Sequence, residues 1–343
     1  MTEYNINSQF TLLERMKGSI DGKRLLPVLD VMDKLGIPDF LQDVPYFQAN
    51  MGLMHKILRT TSRPASSRRA FYEGVSPTDL VTQDVTEPLI LFEQWSSVDE
   101  QHIDTVENGT EVRAGRDRVH IAALLEDFVS AIFTDARTSG SKYIDGFAQR
   151  LSTLSYPGHT TTALPYVWDN GGAAGTGYLT SAYIVEWGQE ANHALYPSGA
   201  AGVQGVMGVN ANDLGKQTVV TATSPLTVYR AYQSQFTKWA GLACNDDRKV
   251  CRIANIETRL DETTGRFDED VLIRAFAHGR FNPSTTRIYV NPYLKADIDI
   301  RAKDKISGWT VEQVFGKSVP AFQGVPIRVL DTTIIPATET AIT

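Results

Sequence analysis

With 343 residues, 42% of them hydrophobic, the chain can bury a sizeable core and is long enough for two or three compact units, which excludes a disordered or fibrous protein. A formal net charge of −7 and a pI near 5.4 exclude a protein whose main work is gripping nucleic acid, since that needs a basic face to displace counterions from phosphate. No uninterrupted apolar stretch approaches membrane-spanning length, and the N-terminus carries Glu3, Glu14, Arg15 and Lys17 without an apolar core, so an aqueous, intracellular setting is expected.

In chain order, the first 45 residues combine polar runs with an apolar stripe of Leu25, Leu26, Val28, Leu29, Val31, Met32 and Leu35. The stripe predicts a short helix before a break at Gly36-Ile37-Pro38, in an arm that needs a partner surface. Residues 53–95 follow as two extended segments rich in β-branched residues around Gly74-Val75-Ser76-Pro77, which predicts a long two-stranded loop rather than a packed helix. Such a hairpin is poorly stable alone, so it is expected to become ordered across another surface. It carries Arg59, Arg63, Arg68 and Arg69 in an otherwise acidic chain, with Pro64 and small hydroxyl residues between them. These form either a solvated charge run or a set of planar donor forks for carboxylates across an interface. Asp79, Asp84, Glu87 and Glu93 on the return strand, or the carboxylates near Asp261, are the candidate counterparts.

Residues 117–133 give the clearest helix, with Ile121, Leu125, Phe128 and Ile132 at helical spacing and Leu124 and Ala131 widening the apolar face. Residues 182–187 predict a strand with Tyr183, Val185 and Trp187 on one face. Residues 228–242 are ambiguous, because Tyr232, Phe236 and Trp239 also fit one face of a helix. Cys244 and Cys251 flank a charged turn, and a hairpin there would let their sulfurs face each other. A reducing compartment makes two buried thiols the expected state.

No catalytic, cofactor or metal site is expected. The glycine-rich residues 171–177 precede a strand, whereas a phosphate cradle must follow one and open a helix. Residues 208–216 end in Gly215-Lys216, but their glycine spacing is too long for a P-loop. The six histidines form no close metal-binding pair, and His193 reads as a structural or surface residue. The acidic groups at 261–262, 268–270 and 297–299 read as solvated faces.

The run from 181 to 216 places a strand ending in Trp187-Gly188 before a Tyr-Pro-x-Gly turn and an Asp-Leu-Gly step. Residues 229–256 then reach Trp239-Ala240-Gly241-Leu242, a charged turn and Arg252-Ile253-Ala254-Asn255-Ile256. Two further stations are Ile288-Tyr289-Val290-Asn291-Pro292 and Phe322-Gln323-Gly324-Val325-Pro326-Ile327. In this order, over roughly residues 53–335, the chain resembles the major capsid proteins of short-tailed bacteriophages, a branch of the Hong-Kong-97-type capsid fold.

The resemblance implies an α+β protein with an N-terminal arm (1–44), an extended two-stranded loop (45–97), a peripheral domain (98–150 and 222–260) and an axial domain (151–221 and 261–343). The helix at 117–133 would be the spine helix, and residues 228–242 would belong to a long β-hairpin. It also implies a non-enzymatic role: self-assembly as pentamers and hexamers into the icosahedral head around double-stranded phage DNA, with assembly in the host cytoplasm and final residence in the virion. Separate scaffolding, portal and cement or decoration proteins are expected partners, with only weak, non-specific contact with packaged DNA and none with membrane. Arg59, Arg63, Arg68, Arg69, Leu25, Leu29 and Glu93 are the candidate inter-subunit contacts. Covalent crosslinking through a loop lysine is not expected, because Lys56 near the base is the loop's only lysine. The alternatives are an α+β enzyme with a ligand loop at 171–177, or another structural protein of the virion.

Overall fold

The computed structural model describes residues 19–20, 24–25, 34–156, 166–172, 177–198, 208–223, 226–259, 262, 264–279, 281–304, 309–314 and 317–343. The chain forms two compact units, one containing residues 91–128 and 207–239, the other residues 35–90, 129–206 and 240–343. Near the N-terminus β1 (Ser19–Ile20) pairs with β2 (Arg24–Leu25). Most of the apolar stripe expected to form a helix, including Leu29, lies outside the described residues.

Gly36-Ile37-Pro38 starts a helix instead of breaking one. Helix α1 (Ile37–Asp43) is capped by Gly36 at φ 83°, and Pro38 sits in the first turn, where its missing N–H has no intrahelical partner to lose. A Cβ on Gly36 would lie 1.8 Å from the Val329 carbonyl oxygen, so position 36 needs glycine for space as well as for its backbone angle. Phe40 is fully buried, with the rings of Tyr289, Phe133 and Trp187 at 5.2, 5.5 and 5.8 Å. Asp43 accepts from Arg328 at 2.8 Å and from Arg287 at 3.1 Å. Residues 37–43, expected inside the arm, are therefore part of their own subunit's core.

Strand β3 (Tyr46–Gln48) leads into β4 (Met54–Ser62) and β5 (Val81–Pro88), which pair antiparallel as the expected two-stranded loop. The first unit then comprises most of β6 (Ile90–Asp99), α2 (Glu100–Asp104) and most of α3 (Gly109–Thr134). The helix begins two turns earlier than its apolar stripe predicts. In the second unit, α4 (Phe147–Arg150), β7 (Val167–Asp169), β8 (Leu179–Glu186) and β9 (Asn192–Tyr196) follow.

Strand β10 (Asn210–Thr223) pairs antiparallel with β11 (Leu226–Cys244), so the ambiguous segment is a strand of 19 residues. Ser234, Phe236, Lys238 and Ala240 are buried in strict alternation, and Tyr232 lies in the same parity. Because β10 starts at Asn210, the long hairpin includes residues 210–221, which were expected in the axial domain. Lys216, in the P-loop look-alike, lies within β10 and binds Glu100 and Asp104 at 2.7 Å each.

The second unit is organised on a seven-stranded sheet, ordered β14 (Trp309–Val314), β15 (Lys317–Phe322), β16 (Val325–Val329), β13 (Thr286–Val290), β8, β12 (Val250–Glu257) and β7. Every residue of β8 is buried, as expected of a strand covered on both faces. Ala182 and Ile184 join the core beneath α5 (Glu269–Gly279) and α6 (Pro292–Asp304), with Ile253, Leu272, Ile288, Leu294 and Ile298. Tyr183, of the opposite parity, meets Phe133 at 5.4 Å, as period two requires.

No hairpin joins the cysteines. The end of β11 pairs with β9, whereas β12 pairs with β8 and β7, and both thiols are free and buried. Cys244 donates to Asn192 Oδ1 at 2.6 Å, and burial pushes its pKa up to about 12, which keeps it an unreactive thiol. The acidic group at 297–299 is not wholly solvated, since Asp297 is buried and pairs with Arg266.

Candidate inter-subunit surface

Every residue from 60 to 84 is exposed, so this part of the β4–β5 loop has no core of its own. Its base is different. In the antiparallel register Ile57 faces Val85 and His55 faces Glu87, and these residues with Arg59 and Pro88 are the part-buried or buried positions of the two strands. The Asn50 amide clamps the Lys56 backbone, accepting from its N–H at 2.8 Å and donating to its carbonyl at 2.7 Å. Lys56 also pairs with Asp84 at 2.6 Å across the two strands.

Arg59 is held inside its own subunit. Its guanidinium donates to Asp247 Oδ2 at 2.6 Å and to the Cys244 carbonyl. Burial pushes the Asp247 carboxyl up, against the pull of Arg59 and Arg150. Glu87 is buried and takes both Arg150 nitrogens, at 2.9 and 2.6 Å, in the bidentate geometry that makes such pairs strong. Gly241 permits β11 to pass this base: a Cβ there would come within 2.7 Å of the Pro88 carbonyl oxygen. His193 is buried beside Phe47 at 4.9 Å and His55 at 5.8 Å. Burial lowers its pKa to about 4, reinforced by His55 and opposed by its contact with the Gly188 carbonyl. His55 is lowered by its own burial and opposed by Glu87.

The candidate contacts therefore separate. Arg63 and Arg68 are exposed and make no ion pair among the described residues, while Arg69 reaches only the Glu73 carbonyl at 3.4 Å. Of their proposed counterparts, Asp84 and Glu87 are committed within the subunit, and Asp79 accepts from the N–H of Leu80. Glu93 lies on β6 in the first unit and accepts from Trp95 Nε1 and Gln235 Nε2 at 2.6 Å each. Leu25 belongs to β2, and Leu29 and Asp261 lie outside the described residues.

Two features of this region were missed in the sequence. Arg150 carries no local signal for Glu87, which is 63 residues away in the chain. Phe71 and Tyr72, near the middle of the loop, carry no sequence signal that sets them apart from the rest of the extended segment. The glycine-rich candidate also resolves into packing: Gly172 donates to the Asn255 carbonyl at 2.9 Å, and a Cβ there would come within 2.4 Å of that oxygen. Residues 173–176 lie outside the described residues.

A family model described as Major capsid protein GP7 matches residues 21–343. Among solved structures, bacteriophage Epsilon15 is similar with a TM-score of 0.73 and 21% identity, covering 98% of each chain. The bacteriophage JBD30 capsid gives a TM-score of 0.46 and 10% identity over 86% of this chain and 90% of that one. An encapsulin complex from Synechococcus elongatus gives 0.45 and 12% over 75% and 99%. No curated protein sequence matches.

Proposed function

The chain belongs to the major capsid protein GP7 family, and on that premise we propose that the β4–β5 loop is the strap by which each copy holds the next in the head of a double-stranded-DNA phage. The protein is a structural component of the virion with the α+β capsid fold of the Hong-Kong-97 type, and its copies form the icosahedral shell. In our reading the copies associate as pentamers and hexamers in the host cytoplasm, with separate scaffolding, portal and cement proteins. The acidic chain touches packaged DNA only weakly.

The observation that carries the strap is the exposure of residues 60–84, with Arg63 and Arg68 making no ion pair among the described residues of a protein of net charge −7. A two-stranded ribbon without a core gains order by lying on another surface, and guanidinium groups suit an acidic one. Arg59, which donates to Asp247 of its own chain, has no part in this reading.

Replacing Arg63, Arg68 and Arg69 with Glu tests the proposal. The folded subunit is expected to melt like wild type, because exposed ion pairs contribute only about 0–1 kcal/mol each. Assembly followed by sedimentation is expected to fail, since each weakened contact recurs around the shell. Unimpaired shell formation would return the three arginines to the solvated surface, and unfolding of the subunit would place them in the internal fold.

A further inference from the structure

We infer that Phe71 and Tyr72 form a preorganised aromatic knob that seats in an apolar recess of a second copy of this chain, while the neighbouring arginines orient its approach. This rests on the reading that the loop lies on a neighbouring subunit. It adds which residues anchor it there.

Both rings stand in solvent, Phe71 at 96% and Tyr72 at 106% relative exposure, above every other large apolar side chain among the described residues. Scattered surface hydrophobics are ordinary, but two adjacent, fully exposed aromatic rings at the end of a projecting ribbon are not. The backbone beneath them is built. The Glu73 N–H donates to the Ala70 carbonyl at 3.4 Å, closing a turn whose two central residues are Phe71 and Tyr72. The Glu73 carboxylate in turn accepts from the Ala70 N–H at 2.9 Å, fastening the turn from its other side.

Tyr72 pays for its place in backbone strain, with φ at 68° where a turn of this kind ordinarily carries glycine. A bulky side chain in that region persists only when something requires the side chain. Among the described residues nothing does, since neither ring has a partner there. A rigid aromatic pair with few rotors, already fixed in orientation, loses little freedom on docking and is typical of residues that dominate an interface.

A second copy is the fitting occupant because the tip carries Arg63, Arg68 and Arg69 while the chain as a whole is acidic. Attraction over a distance brings the tip to its neighbour, but solvated guanidinium groups at the rim contribute little once there. Duplex DNA would attract the arginines, yet its stacked bases offer the rings no apolar recess.

The test uses the full chain as Phe71→Ala, Tyr72→Gly and the triple arginine-to-glutamate variant, each measured for its critical assembly concentration by sedimentation and for melting by circular dichroism. Phe71→Ala and Tyr72→Gly are each expected to raise the critical concentration about thirtyfold or more, with melting unchanged. That deficit should persist at about 1 M salt, where charge interactions are screened to about 3 Å. Tyr72→Gly is decisive, because it relieves the strained φ while removing the ring: a purely conformational role predicts normal assembly. Normal assembly of both aromatic variants beside an impaired arginine variant overturns the knob and leaves the strap standing. Normal assembly of all three overturns the strap as well. Lowered melting of the aromatic variants, or normal shells that fail only to retain DNA, also overturns the knob.

Discussion

His193 shows how one buried side chain sets the conditions under which the subunit is stable. Its ring lies between Phe47 and His55 at the foot of the loop, and burial holds its pKa near 4 against an ordinary value of 6.5. The unfolded chain takes up a proton below about 6.5, while the folded site resists until about 4, so stability falls as pH drops through that window. The loss attributable to His193 is expected to be about 2 kcal/mol, read as the difference in chemical-denaturation stability between pH 7.5 and 4.5. His193→Gln should flatten the profile across the same window. An unaltered profile in that variant would assign the acid sensitivity to other groups. In sequence, the arginine run looked like a single cluster because linear proximity was the only guide. In the folded strand, Arg59 shares the inward parity of His55 and Ile57, whereas a register shift between Thr60 and Ser62 interrupts that parity before Arg63. Asp297 was misread for a related reason: its partner Arg266 is distant in sequence, and composition alone favours solvent for an aspartate.

Among the elements, α3 was legible where it buries a stripe and illegible where it does not. Its first two turns contain Gly109, Gly115, Glu111, Arg113 and Arg116, and no apolar periodicity marks them as helical. Arg113 instead gains tertiary partners, bonding Asp213 and Ser234 and lying 5.1 Å from the Tyr232 ring centroid. Phe128 is fully buried, edge-on to Phe92 at 5.7 Å, with Lys238 Nζ 5.3 Å from its ring centroid. Phe128→Ala is expected to cost about 3–5 kcal/mol of subunit stability, seen as an earlier denaturant midpoint. A midpoint unchanged within error would mean that this face repacks freely. Strand β11 could not be told from a helix by its aromatics, since Tyr232 and Phe236, four apart, share a face in either geometry. Trp239 breaks the tie: it lies on the opposite parity from Phe236, outside the alternation of buried Ser234, Phe236, Lys238 and Ala240.

At the scale of the whole molecule, the fold was legible because the recurring stations fix junctions between elements. Trp187 Nε1 donates to the Tyr289 hydroxyl at 2.8 Å, joining the end of β8 to β13. Asn291 accepts from the Leu294 N–H at the start of α6 and donates to Thr180 Oγ1 at 2.9 Å, tying that helix to β8. The pairings that fasten the loop base and the C-terminal segment carry no such signature. Arg252 reaches Glu339 across 87 residues and Arg150 reaches Glu87 across 63, and only the folded chain brings them together.

In the proposed assembly the β4–β5 loop spans from one copy to the next. An image reconstruction of shells assembled from the purified chain, at a resolution that traces side chains, tests it most directly. Closed shells are expected in which residues 60–84 lie on a neighbouring subunit, with Phe71 and Tyr72 buried and Arg63, Arg68 and Arg69 facing its carboxylates. Closed shells with the loop tip standing in solvent would contradict it.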